Sequence, residues 1–273
     1  MAGCGMMQVA VNLGGYKADL ENPIDISIPV NFEMNQLSAF GSRPARKYAY
    51  KVGNFVGDVR LGGSCNCEVY HFSPHLHGTH TECVGHVTDA RIRVQDVLRE
   101  TLMPATLITV TPVPAATCKD SYSPALRRND MVITHEALKE ALTYHSVDFM
   151  TALIVRSFPN DAGKPLRDYA QNAATFFSTE AMEDIVALGV QHLLVDMPSI
   201  DRADDDGMLS NHRIFWDLQL GAKQADKPSR RTVTELIYAP DSVENGNYLL
   251  NLQVSAFAGD AAPSRPVLYK VSK

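Results

Sequence analysis

The stretch His77-Gly78-Thr79-His80-Thr81-Glu82-Cys83-Val84-Gly85-His86 is the most informative part of the chain. It brings together imidazole and carboxylate groups, the usual ligands of divalent metals such as zinc and manganese. On an extended strand, residues two apart point to the same face, so His80 and Glu82 can approach one ion. His86 follows a turn that Gly85 permits, and it can return to the same place as an acid or a base. The pattern predicts a metal centre.

A polar strand with surface histidines is the alternative interpretation. For any single histidine that alternative is the better one, since most histidines bind no metal. The cluster as a whole favours a metal site, because five of the nine histidines fall between His71 and His86. Cys83 could be a thiolate ligand or a nucleophile, but we expect a small packed residue, because nothing else in the sequence suggests a cysteine enzyme.

The composition is that of an ordinary globular protein, and we expect one domain over residues 1–273. Hydrophobic residues make up 45% of the chain and charged residues 21%, which fits that class. The net charge of −6 offers no basic surface for nucleic acid. No apolar run is long enough to cross a bilayer, and residues 1–16 lack a signal-peptide pattern, so a cytoplasmic location is expected.

The periodicity of apolar residues predicts a mixed fold with more strands than helices, an α+β class. Thr134 and Ser178 are expected to cap two helices. Extended segments are predicted at 24–30, 68–81 with an interruption at Pro74, 105–110, 151–155, 192–195, 248–256 and 266–271, and helices at 94–100, 134–144 and 178–189.

The histidine-rich stretch resembles the signature of the cyclase-like metal-dependent hydrolases, which include bacterial kynurenine formamidase and isatin hydrolase. That signature reads His-x-Gly-Thr-His-x-Asp-x-Pro-x-His. When the two are aligned on Gly-Thr, His80 and His86 match the second and last histidines, and Glu82 takes the place of the aspartate. Leu76 stands at the first histidine, and Val84 at the proline. One imidazole is therefore lost, and one carboxylate gains a methylene of reach.

Two histidines flank that gap, but the spacing argues against both as replacements. On a regular strand, His75 and His77 would point away from the face that carries His80, and only a bulge would bring them back.

Short matches to the same family continue along most of the chain. Asp196-Met197-Pro198-Ser199-Ile200-Asp201 resembles an Asp-x-Pro-Ser-x-Asp segment, and Ile24-Asp25-Ile26-Ser27 resembles its first-strand Asp-x-Ser. His212 and Glu235 match a distal histidine and a distal glutamate. Each match is weak alone, but together they occur in the order that the family shows.

The resemblance implies a cyclase-like β/β/α fold, with helices around a largely β core. It implies a divalent metal, zinc or manganese, with His80, Glu82, His212 and Glu235 as ligands. It gives His86 the role of acid and base, and imidazole can exchange a proton near neutral pH. The family has one-metal and two-metal members, and Leu76 argues for fewer ions here or for one ion held mainly by the distal pair.

The implied reaction is hydrolysis of an aryl-linked formamide, with N-formyl-kynurenine as the leading substrate. Hydrolysis of another amide, a lactam or an ester is one alternative. A non-catalytic descendant with a degenerate metal site is another, and Leu76 supports it. The family also implies a homodimer or a higher homo-oligomer. Phe176, Phe177 and Trp216 could serve such an interface, although core packing is the more common role of buried aromatic residues.

Overall fold

The computed structural model describes residues 15–273, except residues 34, 144, 146, 225 and 226 and the side chain of residue 147. The prediction that residues 1–16 lack a signal peptide therefore falls almost wholly outside the described residues. Residue 144, at the end of a predicted helix, also lies outside them. No helix in the described part of the chain is both long enough and apolar enough to span a membrane.

The main feature of the fold is one mixed β-sheet. Its strand order is β1-β17-β15-β8-β11-β13-β14-β7-β16, and β2 also pairs with β17. These strands are β1 (Lys17–Ala18), β2 (Ile24–Asp25), β7 (His80–Cys83), β8 (Leu102–Val110), β11 (Ala152–Ser157), β13 (His192–Val195), β14 (Thr232–Glu235), β15 (Gly246–Asn251), β16 (Ala261–Pro263) and β17 (Val267–Ser272).

The remaining elements surround this sheet. Three smaller sheets pair β3 with β6, β4 with β5, and β10 with both β9 and β12. They comprise β3 (Arg46–Ala49), β4 (Lys51–Val52), β5 (Phe55–Val56), β6 (Glu68–His71), β9 (Val113–Pro114), β10 (Met131–Ile133) and β12 (Phe176–Phe177). The α-helices are α1 (Val94–Val97), α2 (His135–Leu142), α3 (Thr179–Ala187) and α4 (Ser210–Phe215).

The centre of the main sheet is parallel and buried on both faces. Strands β8, β11, β13 and β14 are parallel neighbours, whereas β7 joins β14 antiparallel. Leu153 and Val155 pack with residues of α2, α3 and α4 on one face. Ala152 and Ile154 pack on the other face, against residues of β15 and β17. Burial on both faces explains why these strands are continuous apolar runs and not alternating ones.

The predicted α+β class and its largely β core are confirmed. Thr134 accepts a hydrogen bond from the backbone N–H of Ala137, and Ser178 accepts one from that of Ala181, so both predicted N-caps are present. Gly189, with φ of 78°, ends the helix region after α3 in the left-handed conformation that glycine adopts readily.

The first predicted strand needs correction. The predicted strand at 24–30 forms only β2, because the chain then leaves the sheet, and Ser27 makes an isolated bridge to Ile237. Phe176, Phe177 and Trp216 are each at most 1% exposed, which fits the expected core packing and leaves no surface for an interface.

Candidate metal centre

The pairing of β7 with β14 places two of the expected ligands side by side. In this antiparallel register His80 lies opposite Glu235, and Thr81 lies opposite Thr234. Opposite residues share a face of the sheet, and faces alternate along a strand. Accordingly His80 Nε2 lies 3.4 Å from Glu235 Oε2, whereas the two threonine hydroxyls meet at 2.7 Å. Glu82, two residues along β7, shares the face of His80.

His212 reaches this face from α4. Its backbone N–H and that of Asn211 both donate to the carboxylate of Asp201, which fixes the start of the helix. The imidazole Nδ1 lies 2.6 Å from Asp201 Oδ2, and Nε2 lies 2.8 Å from Glu82 Oε1 and 3.4 Å from Glu235 Oε1. The distal pair and the β7 pair therefore meet in one buried cluster, as the sequence matches imply.

His75 joins this cluster, which corrects the sequence analysis. The chain is not a continuous strand from 68 to 81: it forms β6, then a 3₁₀ turn over Pro74–Leu76, and then β7. The turn removes the alternation of faces on which the argument against His75 rested. His75 Nδ1 lies 2.9 Å from Glu82 Oε2. Pro74 was the sequence signal for this break in strand alternation, since proline marks where the strand ends.

His77 does not join the cluster. Its Nε2 lies 2.8 Å from the backbone oxygen of Arg43, and its Nδ1 lies 3.0 Å from the backbone nitrogen of Ser73. The imidazole therefore links the segment before β3 to the segment between β6 and β7.

The three imidazoles of the cluster, from His75, His80 and His212, share one arrangement. One ring nitrogen makes a hydrogen bond that holds the ring, and the other nitrogen faces a carboxylate. His80 donates its Nδ1–H to the backbone oxygen of Gly78, since a carbonyl oxygen can only accept. Asp201 holds His212 in the same way. Such partners fix the tautomer and the ring orientation of metal-binding histidines.

The polar atoms at the centre of the cluster fit a cation better than they fit one another. His80 Nε2, Glu82 Oε1 and His212 Nε2 are buried, and none makes a hydrogen bond. The last two atoms are only 2.8 Å apart, yet they are not oriented as donor and acceptor. Buried polar atoms without partners are rare and costly. Their convergence with two carboxylates matches the donor set that zinc and manganese accept.

The electrostatics of the cluster favour positive charge. Burial alone would lower the pKa of His212, but the charge of Glu82 and the hydrogen bond with Asp201 outweigh it and raise that pKa well above its usual value. Burial would raise the pKa of Glu82, but His86 and His212 hold it well below its usual range. The same carboxylate field stabilises a metal ion.

Two ligand sets overlap within the cluster. One set is His75, His80 and Glu82, and the other is Glu82, His212 and Glu235; in each, the ligand atoms lie within 4.8 Å of one another. Glu82 belongs to both sets, with Oε2 towards His75 and Oε1 towards His212. The geometry is therefore suited to two neighbouring ions that share one carboxylate.

His86 lies at the edge of the cluster, where the site opens. It ends a 3₁₀ turn after β7, and its side chain is 29% exposed. A cleft of about 500 Å³ is lined by His75, His86, Asp89, Asp260 and neighbouring residues. A Cβ atom at Gly85 would come within 2.2 Å of the Ile92 backbone oxygen, so the turn that presents His86 needs a glycine.

Asp260 is a further acidic residue of this cleft that the sequence analysis missed. Its Oδ2 lies 2.9 Å from His75 Nε2 and 3.4 Å from His86 Nδ1. The hydrogen bond with His75 and, next, the contact with His86 hold the pKa of Asp260 well below its usual range. A lone Gly-Asp pair in a loop carries no sequence signal for such a position.

Other candidates have structural roles. Cys83 is fully buried, and burial raises the pKa of its thiol to about 12, so the expectation of a packed residue fits this position. Asp196 forms a buried ion pair with Lys164 at 2.6 Å. Asp25 accepts hydrogen bonds from both the backbone N–H and the hydroxyl of Ser27, and it pairs with Arg265. Neither aspartate belongs to the histidine cluster.

The family model described as "Putative cyclase" matches residues 24–202, about two thirds of the chain. The chain belongs to the cyclase family. The matched range contains His75, His80, Glu82 and His86, whereas His212 and Glu235 lie beyond it. Among curated proteins, no sequence matches this chain.

Solved structures share the fold of this cyclase-family chain. A predicted metal-dependent hydrolase from Bacillus stearothermophilus superimposes with a TM-score of 0.57 at 14% identity, over 91% of this chain and 98% of the other. An isatin hydrolase bound to the product analogue thioisatinate gives 0.60 at 13%, over 92% of both chains. Isatin hydrolase A from Ralstonia solanacearum gives 0.56 at 13%, over 98% and 100%. At this identity the likeness shows a common fold.

Proposed function

We propose that this cyclase-family protein is a metal-dependent hydrolase that cleaves an aryl-linked formamide or a related ring amide, with N-formyl-kynurenine as the leading substrate. The observation that carries the proposal is the convergence of three unpartnered buried atoms, from His80, Glu82 and His212, beside an open cleft that contains His86. Zinc and manganese both suit this set of imidazoles and carboxylates.

The residues of the chain divide into ligands and a proton carrier. His75, His80, Glu82, His212 and Glu235 would hold the metal. When bound, a divalent ion polarises a carbonyl and lowers the pKa of water to about 7. His86 faces Glu82 and Asp260 through Nδ1, at 3.9 and 3.4 Å, so Nε2 is the nitrogen that can serve a substrate in the cleft. His86 takes a proton from the water that attacks the carbonyl carbon, and it returns this proton to the departing aryl nitrogen as the C–N bond breaks and a carboxylate is released.

The cluster also argues against the alternative that the protein is a non-catalytic descendant. That alternative rested on Leu76, which removes the family's first histidine. His75 supplies an imidazole 2.9 Å from Glu82, so the donor set is restored from a neighbouring position. The buried oxygen Glu82 Oε1, which accepts no hydrogen bond, would be costly to keep without a cation.

The test combines metal analysis with turnover. Protein purified without chelators should contain a divalent metal, and it should hydrolyse N-formyl-kynurenine. Removal of the metal should abolish turnover, and zinc or manganese should restore it. Isatin, a simple lactam and an aryl ester in the same assay separate the aryl formamide from the other candidate substrates. A protein that binds no divalent ion and cleaves none of these compounds would refute the proposal.

A further inference from the structure

Asp260 is fixed beside the metal-binding strand by the sheet itself. It immediately precedes β16, which pairs antiparallel with β7 so that Ala261 lies opposite Glu82. The backbone oxygen of Asp260 accepts a hydrogen bond of 3.1 Å from the N–H of Cys83. These contacts hold the Asp260 backbone next to the strand that carries His80 and Glu82, so its carboxylate is not the end of a free loop.

One oxygen of this carboxylate serves two imidazoles. Asp260 Oδ2 lies 2.9 Å from His75 Nε2 and 3.4 Å from His86 Nδ1. The two rings lie against each other in a tilted arrangement, with centroids 4.4 Å apart and planes inclined by 33°. All three side chains are partly exposed, at 25% for His75, 29% for His86 and 33% for Asp260. Asp260 therefore links the outermost imidazole of the metal cluster to the residue proposed to carry the proton.

We infer that Asp260 is a positioning residue that orients both His75 and His86 for hydrolysis, an inference that rests on the proposed function. By accepting from His75 Nε2, it leaves Nδ1 directed at Glu82, where an ion would bind. By facing His86 Nδ1 at 3.4 Å, it leaves the opposite nitrogen for a substrate in the cleft. Asp260 itself touches neither the ion nor the reacting atoms.

The other imidazoles of the cluster show why such a partner is needed. His212 is held by the buried carboxylate of Asp201, and His80 by the backbone oxygen of Gly78. Asp260 is the equivalent partner of His75, but it contacts Nε2, whereas the partners of His80 and His212 contact Nδ1. His75 and His86 both face Asp260 Oδ2, so a change at Asp260 should disturb metal retention and turnover together.

A third ion is the competing interpretation of the same contacts. His75, His86 and Asp260 also form a group whose ligand atoms lie within 4.8 Å of one another. We favour the positioning role because His75 Nδ1 already faces Glu82, and a partner on Nε2 is the usual companion of a metal-binding histidine. Metal stoichiometry separates the two interpretations.

The test compares Asp260→Asn and Asp260→Ala with Glu183→Gln, at an exposed acidic residue of α3 outside the cleft. The first readout is the release of zinc to a competing chelator, which needs no turnover. Loss of a partner of this kind typically costs about 10–100-fold in metal affinity or activity. We expect one ion per chain to leave about 10–100-fold more readily in both Asp260 variants, while the ion held by His212 and Glu235 is retained.

The second readout is hydrolysis of N-formyl-kynurenine in excess zinc. We expect kcat to fall by about 10–100-fold with KM little changed, and Asp260→Glu to recover part of the loss. If the wild type binds zinc and turns over, an Asp260→Asn variant that matches Glu183→Gln in both readouts would overturn this inference alone. Three ions in the wild type, with one missing in Asp260→Asn, would make Asp260 a ligand and also overturn it. A wild type with neither zinc nor turnover would overturn the proposed function itself.

Discussion

His75 Nδ1 lies 2.9 Å from Oε2 of Glu82, while the other oxygen of that carboxylate lies 2.8 Å from His212 Nε2. The 3₁₀ turn of His75 and the strand of Glu82 are neighbours in the chain, whereas the helix of His212 lies far from both in sequence. Glu82 therefore stands at the centre of the cluster and faces one imidazole with each oxygen. This arrangement makes Glu82 the residue on which both ligand sets depend.

Replacing Glu82 with glutamine should remove bound metal from both sets, because the amide keeps the shape but loses the charge that they share. Metal content after dialysis, measured by elemental analysis, should fall well below that of the wild type, and turnover should fall with it. Glu183→Gln, at an exposed site on α3, is the matched control. Unchanged metal content in Glu82→Gln would make Glu82 a structural partner of the histidines.

His75→Gln should lose one ion more readily than the wild type, whereas His77→Gln should not. The two histidines are two residues apart, but only His75 faces Glu82, and His77 is bonded to the backbone of Arg43 and Ser73. Chelator competition on both variants gives the comparison. Equal metal retention in the two would show that His75 is not a ligand and that Leu76 does mark a lost one.

His86→Ala should abolish most turnover and keep the metal. General acid–base catalysis typically contributes about 10²–10⁴-fold in rate, so kcat should fall by that factor. Metal stoichiometry should stay near the wild-type value, because His80, Glu82, His212 and Glu235 remain. Loss of the ion would identify His86 as a ligand, and unchanged kcat would remove it from the mechanism.

His192 should make the protein less stable as the pH falls from about 6.5 to about 4. Burial lowers its pKa to about 4, and the residue is only 6% exposed. Between pH 6.5 and pH 4, His192 is protonated in the unfolded chain but stays neutral in the folded chain. The stabilising contribution is therefore fully present above pH 6.5 and is lost as the pH falls to 4. At 1.36 kcal/mol per pKa unit, the loss approaches about 3 kcal/mol at pH 4.

Urea unfolding of the wild type and His192→Asn at several pH values measures this effect. Asparagine does not titrate, and it can keep a hydrogen bond to Thr232, the present partner of His192 at 2.8 Å. The difference in free energy of unfolding between the two proteins should move in favour of the variant by about 3 kcal/mol from pH 7.5 to pH 4. A constant difference would refute the assignment of this proton to His192.

The homo-oligomer stays a prediction. Sedimentation velocity at micromolar concentration should show a dimer or a larger assembly. Since Phe176, Phe177 and Trp216 are buried within one chain, any interface must use other residues. A monomer at that concentration would contradict the prediction.

The sequence by itself determined the elements that local pattern controls. The helix caps at Thr134 and Ser178, the buried strand at 192–195 and the common face of His80 and Glu82 all follow from neighbouring residues, and each is present. The order of the family's short matches also led from the sequence to His80, Glu82, His212 and Glu235, which the fold brings together.

Only the tertiary structure decided how the remaining groups complete the site. His75 was rejected on strand parity, and the 3₁₀ turn at Pro74–Leu76, which breaks that parity, places it against Glu82. Asp260 carries no local signal, since its position comes from the pairing of β16 with β7, strands separated by more than 170 residues. Periodicity describes regular segments, whereas turns and long-range pairing depend on which surfaces meet when the core packs.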